Sequence, residues 1–161
     1  LPRPELWTRL LDDTASSAGR VLVPATPGGS PLAERAGVDL IGGLPTIAGA
    51  WLGGERSALL MQSSGLGNCV NMLSLARTCR FPLLMLITMR GEWGEFNPWQ
   101  VTMGQATPAV LEAMGTIVLR ADEADRIVET VRAGSVLAFD SGRMVAVLIG
   151  QRAIGAKVFR K

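Results

Sequence analysis

The chain has 161 residues, 48% of them hydrophobic and only 19% charged, with 16 basic against 14 acidic side chains and a net charge of +2. That length suits one domain (1–161) with a sizeable core, and that balance is too weak to point to nucleic acid. Histidine is absent, which excludes Ser-His-Asp and Cys-His catalysis and any histidine-based metal site.

The first residues, Leu1-Pro2-Arg3-Pro4, lack an apolar h-region, so no signal peptide is expected. Pro4 to Ala18 reads as a helix with Leu6, Leu10 and Leu11 on its apolar face and Gly19 as its stop. Arg20 to Pro24 is predicted as a strand, followed by a loop of breakers from Thr26 to Pro31. Leu32 to Ala36 is at most a helical turn, Val38 to Ile41 a brief strand, and Gly42-Gly43 a turn. Leu44 to Leu52 is predicted as a small-residue helix with Pro45 in its first turn.

Ser57 to Met61 is short, bulky and uncharged, as a buried strand is. Gln62-Ser63-Ser64-Gly65-Leu66-Gly67-Asn68 reads as a glycine-rich loop whose backbone can approach a ligand. Val70, Leu73, Leu75 and Ala76 then mark a helix face, with Arg77 and Arg80 near its end, and Phe81 to Met89 is a second buried strand. Such a unit makes a parallel pair with a right-handed crossover. Its serines, glycines and asparagines exclude a membrane span.

Arg90 to Gln100 is a loop carrying two of the four tryptophans. Arg90 suits either a surface cap or a clamp for an anionic substrate group, and Glu92 and Glu95 either solvated acids or site residues. Trp93, Phe96 and Trp99 read as core lids or as anchors against a partner. Thr107 and Pro108 look like the cap and first residue of a helix ending at Met114. Thr116 to Leu119 is a strand, Glu123 to Ser141 an amphipathic helix with Gly134 in its middle, and Met144 to Ile149 the last strand. Four basic residues (Arg152, Lys157, Arg160, Lys161) read as a solvated tail. The alternation implies a three-layer α/β sandwich with a mostly parallel sheet of about six strands. Cys69 and Cys79 are expected to be reduced core thiols of a cytoplasmic protein, and the excess of apolar residues suggests a large subunit interface.

The runs LLMQSSGLGNCVNMLSL and PLLMLITMRGEWGEFNPWQ, with Met103-Gly104 close by, resemble the pyrimidine-binding domain of thiamine-diphosphate enzymes. Within that group they are most similar to the α subunits of sulfopyruvate decarboxylase and to phosphonopyruvate decarboxylase. The resemblance covers Val21 to Leu119 and implies a thiamine-diphosphate cofactor facing Gln62, Ser63, Ser64, Gly65, Leu66, Gly67 and Asn68. It implies a small anionic 2-oxo acid substrate near Arg90, Glu92 and Glu95. The family's diphosphate-binding motif does not occur here, which implies that Mg2+ and the diphosphate are held by a separate β subunit in an α2β2 or larger assembly. The family's activating glutamate lies nine residues before the glycine of the A-G-A helix. Counting back from Gly49 lands on Leu40, with Asp39 beside it. The resemblance therefore implies a decarboxylase subunit, with two alternatives: a carboligase or lyase subunit, and a non-catalytic partner that has lost activation.

Overall fold

A computed structural model describes residues 19–23, 33–38 and 40–154. Six strands form one sheet: β1 (Gly19–Val23), β2 (Ala33–Val38), β3 (Ala58–Gln62), β4 (Leu83–Thr88), β5 (Ile117–Ala121) and β6 (Met144–Ile149). Their spatial order is β2-β1-β3-β4-β6-β5. Only the run β3-β4-β6-β5 is parallel, whereas β1 pairs antiparallel with both β2 and β3. Of the expected mostly parallel sheet of about six strands, four are parallel, and the other two form an antiparallel pair at one edge.

The helices are α1 (Leu40–Leu52), α2 (Ser63–Cys79), α3 (Val101–Ala113), α4 (Ile127–Phe139) and the short α5 (Gln151–Ile154). Strand alternation sends side chains to two separate cores. Leu59, Met61, Leu83, Met85, Ile87, Ala146 and Leu148 pack under α1, α2 and α3, through Leu44, Ile47, Leu66, Leu73 and Leu111. Leu60, Leu84, Leu86, Val145, Val147 and Ile149 face α4, through Ile127, Val131 and Ala138. Both faces are covered, so β4 and β6 are buried at every position and read in sequence as unbroken apolar runs. Gly134 has its reason in this layer: a Cβ there would lie 2.9 Å from Val147 Cγ2, so glycine lets α4 settle onto β6.

Several boundaries differ from the sequence reading. Ala33–Val38 is an edge strand rather than a helical turn, held by its antiparallel pairing with β1. Leu40 opens α1 instead of closing a strand, and Pro45 lies inside that helix. The Gln62 to Asn68 stretch is not a loop, because Gln62 ends β3 and Ser63 already belongs to α2. α3 begins at Val101, directly after a 3-10 turn over Pro98–Gln100, so Thr107 and Pro108 fall in its interior. The working cap is Asn97, whose Oδ1 accepts from the Trp99 amide at 3.1 Å. Of the two cysteines only Cys69 is buried; Cys79 is exposed, and both are free thiols. Burial pushes the Cys69 thiol up to about 11. The expected helix from Pro4 to Ala18, the loop from Thr26 to Pro31 and Asp39 lie outside the described residues.

Candidate functional site

The four parallel strands end in one row. Gln62 pairs with Thr88, Thr88 with Ile149, and Ala121 with Ile149. Residues just past those ends are thereby gathered at the carboxyl edge of the sheet, where ligands of open α/β folds bind.

β3 delivers Gln62 and the opening turn of α2. Ser63, Gly65 and Leu66 are buried, Ser64 is half-buried, and Gly67 and Asn68 are exposed. The Ser64 hydroxyl donates to Gln62 Oε1 at 2.7 Å, and Ser63 Oγ accepts from the Arg90 amide at 3.1 Å. The second bond ties the start of α2 to the end of β4. A Cβ on Gly67 would meet Met103 Sδ at 3.3 Å, so this turn presents small polar groups beside an apolar thioether. It holds no charged side chain before Arg77.

β4 delivers Arg90 and the loop that follows. Arg90 is 7% exposed, and its Nε and Nη2 donate to the two carboxylate oxygens of Glu95 at 2.7 and 2.6 Å. The same carboxylate accepts from the Gly91 amide (3.1 Å), the Asn97 amide (3.0 Å) and Gln151 Nε2 (3.2 Å). Those contacts, Arg90 foremost, pull the Glu95 carboxyl from 4.5 down to about 2. Arg90 and Glu95 thus hold each other and the loop backbone, rather than standing as free charges toward a substrate.

Glu92 pairs in the same way, accepting from Arg120 Nη1 and Nη2 at 2.8 and 2.7 Å. Arg120 also donates through Nε to both Asp122 oxygens at 3.0 and 2.9 Å. Gln151 is the residue that sequence reasoning missed. It is 1% exposed, and its Oε1 accepts from the amides of Glu92 (3.0 Å) and Trp93 (2.9 Å). A single glutamine after an apolar run carries no local signal of a contact some 59 residues away.

Two glycines make the arrangement possible. Gly91 has φ +79°, and a Cβ there would come within 2.6 Å of the Gln100 carbonyl. A Cβ on Gly104 would fall onto the Arg90 carbonyl oxygen, so α3 crosses the loop backbone in direct contact. Trp93 and Phe96 are about half exposed and Trp99 is 86% exposed, so among the described residues none of them is a core lid. Leu40 places its backbone at the start of α1, with Asp39 beside it outside the described residues.

No protein-family model matches the chain. A sulfopyruvate decarboxylase subunit alpha from Methanococcus maripaludis is 35% identical over 108 residues, covering 66% of this chain and 65% of the relative. The chain is similar to sulfopyruvate decarboxylase α subunits. A second such subunit, from Methanothermobacter thermautotrophicus, is 45% identical over 73 residues, 45% of this chain and 44% of the relative. A phosphonopyruvate decarboxylase from Streptomyces viridochromogenes is 43% identical over 67 residues, 40% of this chain but 17% of the relative. The chain thus spans less than two thirds of the relatives it matches. Among the described residues no helix is long and apolar enough to cross a membrane, and no group of three or more His, Cys, Asp or Glu side chains is placed to hold a metal ion.

Proposed function

We propose that the chain is the α subunit of a thiamine-diphosphate-dependent decarboxylase acting on a small anionic 2-oxo acid of the sulfopyruvate or phosphonopyruvate kind. The similarity to sulfopyruvate decarboxylase α subunits carries the reading. The name "subunit alpha" of those relatives supports a partner chain, on which the cofactor's diphosphate and Mg2+ would be held.

The residues at the carboxyl edge fit the pyrimidine half of that cofactor. The opening turn of α2 offers hydroxyl and carboxamide groups from Ser64 and Asn68, with Met103 beside Gly67 as an apolar contact. A neutral heteroaromatic ring suits that mixture of polar and apolar groups. Gln62, Ser63, Ser64, Gly65, Leu66, Gly67 and Asn68 would hold the ring. When bound, thiamine diphosphate supplies the electron sink for loss of carbon dioxide.

This chain's own work is positioning and exclusion of water. Ser63 fixes the Arg90 amide, while Arg90, Glu95 and Gln151 fix the loop that borders the ring site. Glu92 and Glu95, already paired with arginines, act on the substrate through the shape of that loop. Trp93, Phe96 and Trp99 offer exposed aromatic surface for the partner subunit.

The test is co-purification of the native complex, followed by carbon dioxide release from sulfopyruvate and phosphonopyruvate with and without added thiamine diphosphate and Mg2+. Cofactor-dependent release by the complex is the expected result. A complex that binds no thiamine diphosphate, or turns over neither acid, would overturn the reading.

A further inference from the structure

We propose that the cleft over the carboxyl ends of β5 and β6 binds the head group of a small organic oxyanion, with Arg152 as its receptor. The cleft measures about 460 Å³ and is lined by Gly91, Glu92, Trp93, Gln105, Arg120, Asp122 and Arg152. The proposal deepens the decarboxylase reading and rests on it for the class of ligand, adding Arg152, which that reading leaves unassigned.

Arg90 is the first cation one would choose for an anion at this edge, and it is closed off by its two-pronged bond to Glu95. Arg152 is differently placed. Its Cζ sits 4.1 Å from the centroid of the Trp93 ring, an attraction that holds the cation at the cleft wall without a hydrogen-bond acceptor. Among the described residues no ion pair or hydrogen bond takes up its guanidinium donors. A planar fork of N–H groups, seated on an indole and facing a concave space, is suited to two-pronged capture of a sulfonate, phosphonate or carboxylate.

Arg120 also lines the cleft, but like Arg90 it is already committed to carboxylates. Its Nε and both terminal nitrogens already donate to Glu92 and Asp122. Those carboxylates, Glu92 foremost, hold the guanidinium above its ordinary value, so it stays charged at any working pH. Asp122 is drawn below the usual carboxylate range by Arg120 and, more weakly, by Arg152. The four charges of Glu92, Asp122, Arg120 and Arg152 sum to zero. The cleft therefore selects for a fork-shaped acceptor rather than for charge alone, and its affinity is on the order of millimolar and salt-dependent.

Methylphosphonate and methanesulfonate serve as probes on the full chain, in its complex if it is isolated as one. The readout is the Trp93 indole N–H cross-peak, assigned by its loss in Trp93→Phe, at constant ionic strength. The expected result is a saturable shift with at least one probe, weakened about tenfold or more in Arg152→Gln and by less in Arg152→Lys, which keeps charge but loses the fork. Arg152 is exposed, so an unchanged melting temperature should accompany both variants. A shift that fails to saturate with both probes, or equal affinity in Arg152→Gln, overturns the proposal. Binding is read without turnover, so a chain that decarboxylates nothing still gives the expected shift.

Discussion

Replacing Glu95 with glutamine removes one charge from a pair whose side chains are only 8% and 4% exposed. Five donors converge on that carboxylate: two from Arg90, the amides of Gly91 and Asn97, and Gln151 Nε2. A glutamine keeps one acceptor oxygen and turns an NH2 group toward the remaining donors, leaving the Arg90 charge buried without a counter-ion. Removing one member of a buried pair costs about 3 kcal/mol or more. The drop of the Glu95 carboxyl from 4.5 to about 2 corresponds to roughly 3 kcal/mol. A loss of about 3 kcal/mol should lower the melting temperature by roughly 5–10 °C for a domain of this size. Because folding depresses this group, its contribution is complete above pH 4.5 and fades as pH falls toward about 2. Urea unfolding of wild type and Glu95→Gln at pH 7, and again near pH 3, reads both effects. A variant within about 0.5 kcal/mol of wild type at pH 7 would refute the argument, as would a gap that does not narrow on acidification.

Gly104→Ala should lose roughly 3 kcal/mol, because the new methyl group meets the Arg90 carbonyl and α3 must lift off the loop; calorimetry showing a normal melting temperature would contradict that close crossing. Native protein should titrate one thiol quickly with a disulfide reagent, the exposed Cys79, and release the buried Cys69 only on unfolding. On the subunit reading, Trp99→Ser should leave the stability of the chain within about 0.5 kcal/mol while weakening association with a partner chain, as read by sedimentation. On the thiamine-diphosphate reading, Leu40→Glu should speed hydrogen–deuterium exchange at C2 of the bound cofactor, and Asp39→Asn should leave it unchanged; the reverse pattern would show that Asp39 is the activating residue.

Where burial on both sheet faces writes the pattern, the sequence was easy to read. β3, β4 and β6 are apolar at nearly every position, and their boundaries fall within a residue or two of expectation. The errors lie where one local signal has two meanings. Asn97-Pro98 and Thr107-Pro108 both spell a helix start, and the first is the one used. Inside α3 the Thr107 hydroxyl instead donates back to the Met103 carbonyl at 2.8 Å, and Pro108 withholds a donor from Gly104. Gly65, Gly67 and the serines spelled a loop, yet contacts of Leu66, Cys69 and Leu73 with the sheet draw them into α2. Gly42-Gly43 spelled a turn for the same reason and lies within α1. At the edge, the charged pair Glu34-Arg35 hid a strand that only its partner β1 defines. The sequence names Arg90, Glu92 and Glu95 as candidates, but not how they pair. Nothing in the order Arg90, Glu92, Glu95 tells which acid answers that arginine and which answers Arg120.

Glu95 and Gln151 together hold the backbone amides at 91, 92, 93 and 97. The shape of the loop is therefore set by two buried side chains, while the Trp93 side chain at its tip packs on the exposed Arg152 and takes little part in it. Frame and tip are separable. Substitutions at 93 can alter what the edge of the sheet presents to a ligand or a neighbouring chain without redrawing the path of the backbone. A loop built this way can change its clientele one residue at a time, each step starting from a folded and correctly shaped ancestor.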